Sequence, residues 1–341
     1  MNPKFPVYIP SKGRFETRLT VNLMERCGIP YRVVIEQQEY DQYAAVMNPD
    51  RIIVLPFSNQ GVVPARNFIW DHALEMGAEY YWTFDDNIRN FYRFHENKRS
   101  KVFSGSHLRA IEDFAQRYEN LPMSGMQYFT FQPRRTKAEP VSFNRRVYSN
   151  MLIKTRIDYR WRDFYNEDTD LCLRMLKDGW VTALWNVFLV DKSATMVVKG
   201  GNTPNYQGDG RLKMAQSLQQ QHPDVTNIVW KWGRWQHHVD YSSFKTNKLI
   251  RKPGVEIPKD KNEYGLVLKG KAVPRVKGKG RISAREDPRG KNDGPKTKTD
   301  SIKSNRRKPR KKTLTAKRTR NGGSVTAPAE GIEQRSEERM A

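Results

Sequence analysis

The first 84 residues predict an α/β fold built on a doubly wound, mainly parallel sheet, and three observations carry that prediction. Short apolar runs alternate with stretches of helical period. Glycines stand just past the helical stretches, at Gly28 and Gly77. Three polar segments each follow the end of an apolar run, so a single sheet edge collects them all.

Taken in order, Phe5 to Pro10 reads as a strand, Glu16 to Cys27 as a helix ending at Gly28, and Tyr31 to Glu36 as a second strand. A polar helical patch spans Glu39 to Met47, and Arg51 to Pro56 is a third strand. A helix is predicted from about Pro64 to Met76, with Pro in its first turn, where a missing N–H costs nothing. Tyr80 to Phe84 closes the series as a strand. Beyond residue 90 the rhythm loosens into an α+β half. It holds a helix from Ser106 to Tyr118, an aromatic strand from Tyr128 to Gln132, a basic linker through Arg134, Arg135 and Lys137, a helix from Glu167 to Lys177 stopped by Gly179, and a strand from Trp180 to Val190.

A chain of 341 residues, 37% hydrophobic, with 8 Trp, 15 Tyr and 15 Phe, supports one substantial core. The formal charge of +24 is uneven: residues 269–341 hold 23 Lys and Arg against 8 Asp and Glu, which accounts for +15 of it. No aromatic residue follows Tyr264, so this stretch cannot bury enough surface to offset its ordering entropy and reads as a disordered basic tail. The expected organisation is a domain over 1–245, a linker over 246–268 and the tail over 269–341. Two cysteines, Cys27 and Cys172, exclude a disulfide framework or a Cys-based zinc site, and no secretory or membrane-length apolar run is present, so the cytoplasm is expected. The positive charge favours phosphate polyanions, nucleic acid ahead of anionic lipid.

The three polar segments are Pro10-Ser11-Lys12-Gly13-Arg14, Asn59 to Asn67 through Gly61 and Pro64, and Asp85-Asp86-Asn87. Lys12 and Arg14 can meet a pyrophosphate, Ser11 a ribose or base, and Gly13 allows close backbone approach. Arg66 and Asn67 fall on a first helical turn, where free N–H groups also favour an anion. Adjacent carboxylates at Asp85 and Asp86, beside an aromatic run, are costly to bury unless a cation compensates them, which suits Mg²⁺ or Mn²⁺ bridging to a diphosphate. Each segment also has a plainer reading: a polar turn, an arginine in a salt bridge, a capping pair. A fourth cluster, Glu167, Asp168 and Asp170, opens a helix; acids suit a helix N-terminus, and Glu167 or Asp168 can also serve as general base for an acceptor hydroxyl.

Two later features bear on an acceptor. The run Trp230-Lys231-Trp232-Gly233-Arg234-Trp235 interleaves aromatics with cations, as nucleic-acid surfaces do, or else marks a tryptophan-rich core edge. Arg145, Arg146, Arg160 and Arg162 line an acceptor groove or form a solvated face, and His222, His237 and His238 are the late histidines available to a metal.

The order Ser-Lys-Gly-Arg, Gly-Val-Val-Pro-Ala-Arg-Asn, Asp-Asp-Asn-Ile, then Asn-Glu-Asp-Thr-Asp-Leu-Cys-Leu-Arg resembles the TET-associated glycosyltransferases, a GT-A-type family of phages, over roughly residues 5–240. The resemblance implies a Rossmann-like GT-A sheet with an acceptor half, and transfer of a sugar from a nucleotide sugar, UDP-glucose or similar, to a hydroxymethylated pyrimidine such as 5-hydroxymethylcytosine in DNA. Carried across, Ser11, Lys12, Arg14, Arg66, Asn67 and Asp85 bind the nucleotide sugar. Asp86 and Asp85 hold Mn²⁺ or Mg²⁺, and Asp168, then Glu167, supplies the base. Asn87 stands where many GT-A enzymes carry a second acid. Arg145, Arg146, Trp232 and Arg234 are the DNA-binding candidates. Two other readings stay open: transfer to a protein, polysaccharide or lipid, and a non-catalytic DNA-binding protein on a degenerate scaffold.

Overall fold

The computed structural model describes residues 1–134, 139–193, 201, 206 and 208–256. The chain divides into one unit over Met1–Val273 and a second over Pro274–Ala341. The expected tail, the linker from residue 257 onward, and Arg135 and Lys137 lie outside the described residues.

The βαβ series forms as the alternation predicts: β1 (Val7–Pro10), α1 (Leu19–Arg26), β2 (Arg32–Glu36), α2 (Tyr40–Ala44), β3 (Ile52–Leu55), α3 (Val62–Glu75) and β4 (Tyr80–Phe84). Neighbouring strands in the order β3-β2-β1-β4 are parallel. There follow β5 (Ile88–His95), β6 (Lys98–Val102), α4 (Ser106–Ala115), β7 (Met123–Tyr128), β8 (Val141–Phe143), β9 (Asn150–Lys154), α5 (Glu167–Lys177), β10 (Thr182–Lys192), α6 (Gly210–Gln221) and the hairpin β11 (Thr226–Lys231) and β12 (Arg234–Val239). The sheet continues past β4 as β9-β7-β10-β5-β6, with β8 on β10.

Strand alternation sorts the core onto the two faces of the sheet. Val7, Ile9, Val33, Ile35, Trp82 and Phe84 join Val21 and Met24 of α1 and Leu108 and Ile111 of α4 in one apolar cluster. Tyr8, Val34 and Tyr81 join Ile69 and Trp70 of α3 and Leu171 and Met175 of α5 in another. Helices therefore cover both faces, which defines a doubly wound α/β domain.

Between β4 and β10 one strand is reversed, β9, which runs against both β4 and β7; β5 and β8 in turn run against β10. It follows that β7, and β10 through its parallel pairing with β7, run in the direction of β4. The carboxyl ends of β1, β4, β7 and β10 and the start of β9 thus share one edge. Gly125 is required where β7 meets this reversed strand, since a Cβ there would lie 2.2 Å from the Asn150 carbonyl oxygen. The aromatic segment expected as a strand over Tyr128–Gln132 is displaced: β7 ends at Tyr128, and Phe129–Gln132 turn away, with the Gln132 amide donating back to the Tyr128 carbonyl at 3.2 Å. Residues after 245 still touch the domain, where the Asn247 amide donates to the Leu176 and Trp180 carbonyls at 2.7 and 2.9 Å.

Candidate active site

A cleft of about 470 Å³ opens on that shared edge, within the size range of small-ligand sites. Ser11, Lys12, Arg14, Arg66, Asp85, Asp86, Arg146, Glu167 and Asp168 all line it. Segments far apart in sequence converge there because each lies at a strand terminus or a helix N-terminus on the same edge of the sheet.

The turn after β1 is closed by Gly13, whose φ of 64° is left-handed and whose N–H donates to Glu39 at 2.5 Å. Lys12 Nζ donates to both Glu36 oxygens at 2.8 and 2.9 Å and to Asn59 Oδ1 at 2.8 Å. Ser11 Oγ donates to Asp86 Oδ2 at 2.8 Å, and Arg14 pairs with Asp86 Oδ1. On α3, Arg66 is buried, stacked 4.7 Å from the Trp161 ring centroid, and set between Asp85 Oδ1 at 3.1 Å and Glu167 Oε1 at 3.0 Å.

Asn67 goes elsewhere. Its side chain donates to the Trp161 carbonyl and accepts from the Trp161 N–H, both at 2.9 Å, and it does not line the cleft. One helical position beyond Arg66, its side chain points to the backbone that supports the Trp161 ring.

The Asp85–Asn87 loop is held by its backbone. Thr20 Oγ donates to the Asp85 carbonyl at 2.6 Å, Asp85 N to the Ser149 carbonyl at 2.8 Å, and Ser193 N to the Asn87 carbonyl at 3.0 Å. Lys192 at the end of β10 donates to Asp85 Oδ2 at 2.5 Å and to Ser149 Oγ at 2.8 Å. Burial alone would raise the Asp85 carboxyl, but Lys192 and then Arg66 bring it down to about 2. Asp86 moves the other way: burial raises it, and Arg14 offsets this only in part.

On α5 the three acids separate. Glu167 faces Arg66, and burial, opposed by that arginine and aided by Asp168, lifts its carboxyl to about 7. Asp168 lines the cleft and accepts from Thr169 Oγ at 3.0 Å. Asp170 is fully buried away from the cleft, accepting from Arg162 and Arg174 and paired with His222 at 2.9 Å.

Arg146 is a wall of the cleft, stacked 4.2 Å from the Tyr148 centroid and 3.1 Å from His237 Nε2. Burial, then Arg146, pushes His237 down to about 4. Arg145 is exposed near Tyr241. Arg160 pairs with Asp71 and Arg162 with Asp170, so each is neutralised locally. The tryptophan run is the β11–β12 hairpin and not a core edge: Trp230 and Trp232 are 61% and 73% exposed, and the turn is made by Trp232 and Gly233 with φ of 54° and 70°. Arg234 is exposed beside it, and Trp235, Gln236 and His237 reach the cleft.

Do these residues suit the divalent cation expected at Asp85 and Asp86? All four carboxylate oxygens already accept from chain donors: Arg66 and Lys192 on Asp85, Arg14 and Ser11 on Asp86. Among the described residues no three of His, Cys, Asp and Glu are grouped to hold a metal. The set does not fit a divalent cation, so no step is derived through one.

Lys192, Tyr128, Ser149, Tyr148 and His237 line the cleft without having been singled out for it from sequence, apart from His237 as a late histidine. A strand ending in Asp191-Lys192 was the available signal for Lys192, and it needed the strand order to be read.

A polar cleft at the carboxyl edge of a doubly wound sheet, with clustered cations and paired acids, marks an α/β protein built to bind an anionic ligand. The profile of the TET-associated glycosyltransferases matches residues 5–201; the chain belongs to this family, and the protein is a glycosyltransferase. No curated protein matches it. Among solved structures it is similar to A197 from STIV, at 14% identity and TM-score 0.35 over 56% of this chain and 85% of that one. It is also similar to a putative nucleotide-diphospho-sugar transferase from Desulfovibrio desulfuricans, at 8% and 0.31 over 51% and 77%. A third is mannose-1-phosphate geranyltransferase from Thermus thermophilus, at 13% and 0.29 over 54% and 58%. Among the described residues no helix is long and apolar enough to cross a membrane.

Proposed function

We propose that the protein transfers a glycosyl group from a nucleoside-diphosphate sugar, UDP-glucose or similar, to the hydroxymethyl group of a modified pyrimidine, 5-hydroxymethylcytosine foremost, in DNA. The observation that carries the acceptor is the hairpin beside the cleft. It offers exposed Trp230, Trp232, Lys231 and Arg234, while Trp235, the cross-strand partner of Trp230, and His237 join the lining of the cleft that also holds Asp168. Aromatic faces next to cations stack on bases and attract phosphates irrespective of sequence.

In this reading Ser11, Lys12, Arg14 and Arg66 receive the nucleotide and diphosphate, and Asp168 takes the proton of the acceptor hydroxyl as its oxygen attacks the sugar's anomeric carbon. Glu167 tunes the charge on Arg66. A target base in a duplex is reached by flipping or at the major-groove edge, where its 5-substituent lies. The basic residues 269–341 add sequence-independent phosphate affinity.

The test is mass spectrometry of nucleosides from hydroxymethylated DNA incubated with the protein and a panel of nucleotide sugars. A gain of one hexose on the modified pyrimidine is expected. Label entering protein or polysaccharide and not DNA would overturn the acceptor assignment while leaving the donor chemistry intact.

A further inference from the structure

The Asp85 carboxylate bridges two cations, Arg66 on one oxygen and Lys192 on the other. The geometry points to Lys192, in place of a divalent cation, as the group that holds the donor's diphosphate and meets the charge of its leaving group.

Three features argue for this. First, every oxygen of the carboxylates that a metal would need already faces a chain donor, a cation in three cases of four, and the third position, Asn87, brings no charge. Second, the Lys192 ammonium is anchored without being exhausted. Asp85 and Ser149 take two of its three protons at 2.5 and 2.8 Å, and its third contact, to the Tyr128 hydroxyl, is long at 3.4 Å. A phosphate oxygen entering the cleft can take that proton. Third, Lys192 lines the cleft on the same edge as Arg14 and Arg66, so positive charge reaches the diphosphate from the chain itself.

Burial works against a charged ammonium, yet the neighbouring Asp85 outweighs it and keeps Lys192 protonated. During transfer the bond between the anomeric carbon and the diphosphate oxygen breaks, and its electron pair stays on that oxygen. Lys192 and Arg66 offset the added negative charge, a fixed arrangement that needs no reorganisation as the reaction proceeds. Asp85 then acts as a positioning residue that sets the spacing of the two cations.

The inference concerns the diphosphate alone and does not depend on the identity of the acceptor. Its test titrates the full-length protein calorimetrically with pyrophosphate in EDTA, and follows Mn²⁺ titrated alone by its electron paramagnetic resonance. Pyrophosphate is expected to bind the wild type in EDTA, Lys192→Met to bind about tenfold more weakly, and Lys192→Arg to stay within about threefold, as loss or retention of one charge-assisted contact predicts. Mn²⁺ is expected to remain free. Pyrophosphate binding that appears only with Mn²⁺, Mn²⁺ captured by the wild type but not by Asp85→Asn, or unchanged affinity in Lys192→Met would each overturn the assignment. Should Lys192→Met fail to fold, Lys192→Gln takes its place, with the same loss of about tenfold expected and unchanged affinity overturning the assignment.

Discussion

His222 Nε2 stands 2.9 Å from Asp170 Oδ1, joining α5 to the end of α6 across 52 positions of sequence inside the protein. Arg162 and Arg174 complete the shell around the same carboxylate. Removing it takes the acceptor from the buried His222 and the partly buried Arg174, while the half-exposed Arg162 can turn to water, so Asp170→Ala is expected to cost about 3 kcal/mol in urea denaturation. Burial raises this carboxyl, but the His222 bond and then the arginines draw it down to about 2. A depressed acid contributes stability above its unfolded pKa, about 3.9, and loses it as the pH falls through the folded value. The stability gap between wild type and Asp170→Asn should therefore narrow between about pH 4 and about pH 2.

Asp168 tests the chemistry. As a general base it affects turnover and not donor binding, so Asp168→Ala should lower single-turnover rates by about 10²–10⁴-fold with donor affinity little changed. A parallel loss of donor affinity would instead assign it to the donor pocket.

Glu167 sets a pH dependence. Its carboxyl, raised to about 7 by burial, gains a negative charge as the pH rises through neutrality, beside the arginine that faces the donor. UDP-glucose, whose phosphate diesters stay ionised throughout, should bind more weakly at pH 8 than at pH 6. Glu167→Gln should flatten this trend, as isothermal titration at both pH values can read.

The hairpin tip tests the acceptor. Trp232→Ala removes a stacking face worth about 1–3 kcal/mol per base and should weaken DNA binding by fluorescence anisotropy without lowering the melting temperature. Unchanged DNA affinity would detach the hairpin from recognition.

Gly125 tests the reversed strand. A methyl group there would lie 2.2 Å from the Asn150 carbonyl oxygen and 2.5 Å from Val147 Cγ1, and backbone cannot yield as a flexible side chain does. Gly125→Ala should destabilise by about 3 kcal/mol or abolish soluble expression.

Locally encoded structure was legible in the sequence. Tyr80–Phe84 and Glu167–Lys177 form over the expected residues because an apolar run and glycine punctuation suffice to mark them. The hairpin of β5 and β6 was not legible: its buried positions, Ile88, Phe91 and Phe94, fall three apart amid charges, which masks the period of two. Its turn is made by Glu96 and Asn97, both at positive φ, without the glycine that usually announces one. The donor loops could be found because each follows a strand directly. Lys192 and Ser149 could not, since their place beside Asp85 depends on strand order, which periodicity does not encode. Asn67 and Asp170 show the converse: polar residues beside cleft residues turned inward to support the scaffold.

The reversal of β9 has one more effect. Because that strand starts at the edge where its neighbours end, the segment from Arg146 to Ser149 arrives at the cleft from a part of the chain separate from the loops of the first half. In the proposed reading, most of the acceptor wall is thereby written in a stretch of sequence apart from Ser11 to Arg14 and Arg66, with Ser149 and Lys192 joining the donor side from the second half. If the proposed roles hold, substitutions at Arg146, Tyr148 and along the hairpin would alter the acceptor while Ser11 to Arg14 and Arg66 keep the same donor, so a single scaffold could diversify its targets without relearning its fuel.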